Sequence, residues 1–533
     1  MTTTTMTPAR PGTQAGYAGF RQLLRAEWIK FRTVRGWIIA MVVGALVMVA
    51  WGLLVASGGS TTCQASPTSP VLSGAACAPH LPFGPGGEAV TDSFYFVHRP
   101  LAAGGSLTVR VTSLAGRYSN GGIAPGADPE ANFSSGVQPW SKAGIIIKAS
   151  TKPGSGYAAM MITGGHGVRM QYDYTGDIAG PPGTVSPASP RWLRLTRSGD
   201  TLTGYESGNG THWSVVGTVH LAGLPAIAQA GMFATSPDVT KVASQSLGSG
   251  SVTGGPSLAT GAFDHVSLSG AGHGRWSGGI VGGSSGLPAS ASRFTRAGES
   301  FTVTGTGDIA PVVAGSDASA IGQYLTGAFA ALIAAAVVAV MLITAEYRRG
   351  LIRVTLAASP RRGRVLAAKA IVAGAATFVA GLVAAAVVVP LAGWLAHNKG
   401  AYVLPVSELT DLRVIVGTAA VLAVAAVLAV AVGTMLRRSA AAVATGIVVI
   451  VLPYILGTTG ALPASAAQWL LRLTPAAAFA IQQSVPAYPQ VTASYTPTAG
   501  YFPLAPWAGF AVLCGYAVLA LAVAWYLLRR RDA

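Results

Sequence analysis

What this chain lacks narrows it first. It holds no Gly-Lys dipeptide anywhere, so the loop that cradles nucleotide phosphates with backbone amides and a lysine cannot form. If ATP drives this protein, another chain hydrolyses it. Charged residues make up only 10% of the 533 positions, and 51% are hydrophobic, too apolar a balance for an ordinary soluble enzyme. The apolar runs contain almost no ionisable side chain, which argues against the buried carboxylate relay of a proton- or sodium-coupled carrier. His166, His212, His220 and His265 show none of the close His/Cys/carboxylate spacings of a zinc site. No internal repeat of fixed period is visible.

Cysteine is scarce too, at 3 residues. Cys63 and Cys77 follow the first apolar run closely, and a bridge between them is expected if that side is oxidising. Cys514 lies inside the last apolar run and reads as a packing residue.

What is present is a set of runs long enough to cross a bilayer, which takes about 20 apolar residues. Six spans are expected, at 37–56, 321–345, 367–395, 414–436, 440–457 and 506–528. The fifth is short and carries Gly446 and Pro453. The net charge of +17 raises the question of nucleic acid, but its distribution answers otherwise. With both termini inside, eighteen Lys and Arg and three acidic residues fall on the cytoplasmic side, whereas the segment from Ser57 to Ala318 is close to neutral. That asymmetry is a topology signal. The chain therefore reads as a multi-pass cell-membrane protein with cytoplasmic termini, a large external domain and no nucleic-acid partner.

Residues 1–17 are polar and low in complexity, as a disordered tail would be. Residues 18–36 follow, with Phe20, Leu24, Trp28 and Phe31 at helical spacing and Arg21, Arg25, Lys30 and Arg32 between them. That stripe suits a helix lying among lipid headgroups. A Gly/Ser/Pro/Ala-rich linker spans 57–90. From 91 to 318 the pattern turns to short strands, predicting an external all-β sandwich of jelly-roll type with Gly/Ser-rich loops at 244–260 and 267–289. "WLRLTRSGDTLTGYES" predicts a hairpin with Leu193 and Leu195 on one face, and Asn209-Gly210 predicts a tight turn. Residues 458–505 predict an external loop with short helices that dip into the leaflet or cap a cavity, and 529–533 a cytoplasmic tail.

The densest charge lies between the second and third spans, at 346–366, where "EYRRGLIRVTLAASPRRGR" places Arg348, Arg349 and Arg353 outside a stripe of Leu351 and Val354. A short basic helix pinned between two spans suits lipid phosphate or a cytoplasmic protein. Glu346 beside it favours a specific partner or an internal salt bridge.

"LRAEWIKFRTVRGW" and "TAEYRRGLIRVTLAASPRRGRVLAAK" resemble the permease subunits of ATP-binding-cassette type-2 exporters of high-GC Gram-positive (actinobacterial) bacteria. The likeness covers the N-terminal helix and the six spans. It implies an interfacial helix (Phe20, Leu24, Trp28, Phe31) and a coupling helix docking on a separate ATPase through Glu346, Arg348, Arg349, Leu351, Arg353 and Val354. It also implies a homodimer or pseudo-dimer, with ATP and magnesium bound by the ATPase and no cofactor or metal in this chain. The long insertion departs from the family pattern; "GGHGVRMQYDYTGDIAG" and "AQAGMFATS" within it resemble concanavalin-like and laminin-G-like sandwiches.

Such a sandwich invites two further readings. Trp192, Tyr205 and Trp213 suit stacking on a cell-envelope glycan, and equally suit a core. Asp173, Asp177, Asp200 and Glu206 supply carboxyls for a glycosidase pair, but Asp200 in a turn and Glu206 near a strand end need no catalysis to explain them. The function implied is outward movement of an amphiphilic, lipid-like or drug-like substrate. The alternative is a membrane-anchored envelope-binding protein.

Overall fold

The structure is a computed structural model. It describes residues 19–58, 62–63, 72–73, 80–120, 132–244, 250–271, 274–283, 287–315, 318–348, 350–351, 354–355, 361–459, 461–493 and 495–530. Cys77 lies outside the described residues, and of Cys63 only the backbone is described, in a two-residue strand paired with Leu72–Ser73.

An amphipathic helix, α1 (Phe20–Thr33), leads into the spans. Among the described residues six helices are long and apolar enough to cross a membrane. They are α2 (Arg35–Ser57), α3 (Ala328–Arg348), α4 (Arg362–Asn398), α5 (Glu408–Leu436), α6 (Ser439–Thr458) and α8 (Pro506–Arg530), with the short α7 (Ala464–Leu473) between the last two. Helix α5 is the hub, packing on α3, α4 and α8. Small residues let the helices approach closely. A Cβ on Gly52 of α2 would come within 2.5 Å of Val388 and 2.6 Å of the Tyr324 carbonyl.

Helix α3 starts later than the apolar run suggests. Residues Ile321–Leu325 form a 3-10 turn, in which Gly322 packs on the Gln482 carbonyl so closely that a Cβ would sit at 2.6 Å. Before α8, Pro475–Gln482 is likewise 3-10 helix, with every residue buried. The irregular backbone here is covered by protein, which is what such a segment inside a bilayer would require. Gln482 Nε2 donates to Thr418 Oγ1 at 3.3 Å, and Arg413 donates to the Gln483 carbonyl at 2.6 Å.

Between α2 and α3 stands an all-β domain. Its strands include β1 (Val90–Asp92), β2 (Phe94–Ser119), β3 (Lys142–Lys148), β4 (Tyr157–Thr163), β5 (Val168–Tyr172), β6 (Gly176–Ala179), β7 (Arg191–Ser198), β8 (Thr201–Ser207) and β9 (Ser214–His220). They continue with β10 (Ile227–Thr235), β11 (Ser257–Ala271), β12 (Ser300–Gly305) and β13 (Ile309–Pro311). One antiparallel sheet runs β9-β8-β7-β2-β10-β3-β4-β5-β6, with β11 alongside β2 and β12. Its two arms fold face to face, so that Leu193, Leu195 and Leu202 share a core with Met160, Met170 and Ile145. A second core lies on the other face of β3 and β4, around Phe94, Phe96, Ile146, Tyr157 and Phe233.

Leu193 and Leu195 share the inward face as the hairpin pattern predicts. Where they are described, the Gly/Ser-rich segments are mostly strand. Val239–Ser244 pairs with Gly250–Gly255, and β11 pairs with β2 over most of its length and with β12 over Ala259–Phe263, because backbone hydrogen bonds to two neighbours need no apolar alternation. The Asn209-Gly210 turn is also wider than a tight hairpin. Asn209 Oδ1 accepts from the amides of Thr211 and His212, both at 3.0 Å, holding the loop open.

Candidate functional site

The end of the bundle away from the β domain gathers a closed set of charges. Helix α1 lies across α3 and α4 with Phe31 packed on Val338 and Val372, and Leu23 on Ile343 and Val365. That seating turns Glu27 inward. Lys369, in the second turn of α4, is fully buried and donates to Glu27 Oε2 at 2.8 Å and to Glu346 Oε1 at 2.7 Å. Lys30 closes the set, donating to Glu27 Oε1 at 3.0 Å and Glu346 Oε1 at 2.9 Å. Two ammonium groups thus alternate with two carboxylates contributed by three helices. Burial works against the charged form of Lys30, but its hydrogen bonds to Glu346 and Glu27, with their charges, outweigh it and hold its pKa above the ordinary lysine range.

The cluster brackets the basic segment on both sides. Glu346 is two residues before the end of α3, and Lys369 is in the second turn of the next helix. Neighbouring contacts tie the remaining ends together. The Arg437 guanidinium, in the α5–α6 turn, stacks 5.1 Å from the Tyr347 ring, and Arg362 donates to the Leu528 carbonyl at the end of α8 at 2.5 Å.

The residues expected to matter fall as follows. Glu346 is buried in the cluster, while Arg348 is exposed, as are Leu351 at 48% and Val354 at 67%. Arg349 and Arg353 lie outside the described residues. On α1, Leu24 and Phe31 face the helices, whereas Phe20 and Trp28 are exposed, with Trp28 stacked on Phe31 at 5.9 Å. Trp192, Tyr205 and Trp213 are half-buried on the outward face of the β domain. The Arg194 guanidinium covers Trp213 at 3.8 Å, and Trp192 meets His265 edge-on at 5.2 Å. Asp177 pairs with Arg169, Glu206 with Arg191, and Asp200 Oδ2 accepts from the Gly223 amide at 3.4 Å. Among the described residues no group of three His, Cys, Asp or Glu is placed to hold a metal.

Reading the sequence alone missed Glu27 and Lys369. Both were visible only as charges where charge is costly: Glu27 amid arginines, Lys369 at the mouth of a span.

Six apolar helices carrying a buried charge cluster at one end, with an all-β domain between the first two, define a multi-pass membrane protein. The profile of the ABC-2 family transporter proteins matches residues 203–533, more than half of the chain, and the chain belongs to that family. The match begins inside β8, so α1 and α2 lie outside it. The family is the membrane permease of ATP-binding-cassette exporters, and membership implies a separate ATPase partner.

No curated protein matches the chain. Among solved structures, a functionally unknown protein from Saccharomyces cerevisiae aligns at 15% identity over 41% of this chain and 90% of that one, with a TM-score of 0.20. A GH43 protein from Bacillus licheniformis aligns at 12% over 29% and 26%, with a TM-score of 0.17. Scytalido-glutamic peptidase aligns at 8% over 42% and 100%, with a TM-score of 0.24. Likenesses this low contribute nothing to the reading of the chain.

Proposed function

We propose that the segment from Glu346 to Arg364 is the coupling element of the permease, docking on the cytoplasmic ATPase and passing its motion to α3 and α4. The observation that carries this reading is the charge cluster. It fastens both flanks of the segment to α1, so a push on the segment moves three helices as a unit. Exposed Leu351 and Val354 beside exposed Arg348 suit a protein surface better than water. ATP-driven closure of the ATPases tilts α3 and α4 and opens an outward path for an amphiphilic, lipid-like or drug-like substrate in a dimer of permeases. The basic end is cytoplasmic and the β domain external, with α1 at the lipid headgroups.

The external domain contacts substrate or envelope, and the outward placement of Trp192, Tyr205 and Trp213 supports a glycan surface there. The test is a pull-down of a co-expressed ATP-binding-cassette ATPase subunit. Arg348→Glu with Arg353→Glu abolishes capture while membrane insertion survives; undiminished capture overturns the coupling assignment.

A further inference from the structure

Strand β3 carries a lysine at each end, and neither side chain has any exposure to solvent. Lys142 Nζ donates to Asp308 Oδ1 at 2.6 Å and to the Ile309 carbonyl at 2.9 Å. Lys148 Nζ donates to Asp92 Oδ2 at 2.8 Å, to Tyr174 Oη at 2.9 Å and to the Ser155 carbonyl at 2.8 Å. Asp92 Oδ2 also accepts from Tyr174 Oη at 2.7 Å and from the Gly154 amide at 2.8 Å. A buried ion pair is often no more stabilising than well-packed apolar residues of the same volume, but it defines position sharply because a displaced partner strands a charge. Two such pairs on one strand therefore say where something must sit.

What they position is the neck of the domain. Asp92 ends β1, which brings the chain in from α2. Asp308 directly precedes β13, which takes it out toward α3. The two strands pair with each other, Ile309 opposite Asp92 and Pro311 opposite Val90. Below them the chain is fastened again to the bundle. The Ala314 amide donates to Tyr501 Oη at 2.9 Å, and Ala318–Ser319 pairs in parallel with Tyr402–Val403 beyond α4. Gln490 Nε2 reaches up to the Thr175 carbonyl at 3.0 Å. Ala314, Ala318, Leu404 and Tyr501 share one small apolar core at this junction.

We propose that the β domain is geared to α3: held as one body with the outer end of the bundle, and displaced whenever α3 tilts, rather than tethered to it. Its place in transport is then that of a moving part driven from the opposite side of the membrane. The gearing depends on the permease reading only for the force that moves α3.

The experiment is pulsed electron-spin distance measurement on the full chain in lipid nanodiscs. Non-thiol encoded labels replace Val215, on β9, and Leu409, at the start of α5, which are 61% and 79% exposed. The native chain gives one narrow separation. Lys142→Met with Lys148→Met loses the narrow peak. Because that pair of changes risks unfolding the domain, Gln490→Ala with Tyr501→Phe, which leaves both buried ion pairs in place, is measured too and also loses it. A broad distribution in the native chain overturns the gearing, as does a narrow peak that survives both pairs of substitutions. Failure of ATPase capture with the narrow peak intact removes the coupling assignment and leaves the gearing standing.

Discussion

Lys369 Nζ sits 2.8 Å from Glu27 Oε2 although 342 positions of sequence separate them. The contact joins the helix before the first span to the helix that begins the third. With Glu346 on the other side of the same ammonium, at 2.7 Å, it makes the two ends of the basic segment answer to one buried charge.

Removing that charge leaves two buried carboxylates to share the partly exposed Lys30 alone. Lys369→Met is expected to destabilise the bundle by about 3–5 kcal/mol. Lys369→Met combined with Glu27→Leu keeps the Lys30–Glu346 pair, at 2.9 Å, and is expected to cost less than the single change. Thermal melting of the purified chain in one detergent decides the order. A double variant weaker than the single would show that the cluster is not coupled.

Packing at Gly52 offers a second test. A Cβ there meets Val388 and the Tyr324 carbonyl inside contact distance, whereas at Gly36, the second residue of α2, it meets nothing within 4 Å. Gly52→Val is expected to lower stability by about 1–3 kcal/mol through overpacking, and Gly36→Ala to leave it unchanged or slightly raised. Equal melting temperatures for the two variants would refute the close approach of α2 to α4.

The β domain carries a pH dependence of its own. Burial raises the pKa of Glu88 and of Asp173 above the ordinary carboxyl range, and each is pushed by other factors as well: the Asp173 charge adds to the rise at Glu88, while the Tyr157 amide and Lys148 oppose it at Asp173. A carboxyl with a higher pKa folded than unfolded holds its proton more tightly when folded. Its contribution is complete below the ordinary values of 4.5 and 3.8 and fades as pH climbs through the raised ones. Glu88→Gln with Asp173→Asn should therefore gain melting temperature relative to the native chain as pH rises from about 4 to about 7. A difference that stays flat over that range contradicts the assignment.

On the outward face, Trp213 is held by Arg194 over its ring and by its own Nε1 donating to the Gly210 carbonyl at 3.1 Å. If the face binds envelope glycan, Trp213→Ala weakens sedimentation with purified cell wall by about tenfold, which corresponds to the ~1.4 kcal/mol of one good aromatic contact. Unchanged sedimentation removes the glycan role from this tryptophan.

The spans were legible because a bilayer demands long apolar runs, and the strand pattern of β7 and β8 because one face is buried and the other is not. Glu346 was legible as an oddity, an acid at a membrane edge, with an internal salt bridge among its two explanations. Lys369 was not, because a lysine beside six arginines reads as one more topology charge, and its partners come from elements hundreds of residues away. The start of strand β11, Ser257–Gly261, was hidden for another reason. It is held by backbone pairing on both sides, which leaves no mark on side-chain pattern.

Helix α4 runs unbroken for 37 residues, about 55 Å at the rise of an α-helix, against a hydrocarbon thickness of about 30 Å. With the rod upright, the surplus would stand in headgroups and water at either tip, giving it an arm outside the bilayer as well as within it. A pivot of about 5° would sweep the far tip through about 5 Å, enough to slide one side chain past its neighbour. Local bilayer thickness then enters the mechanics directly, because a thinner membrane leaves more of the rod standing free.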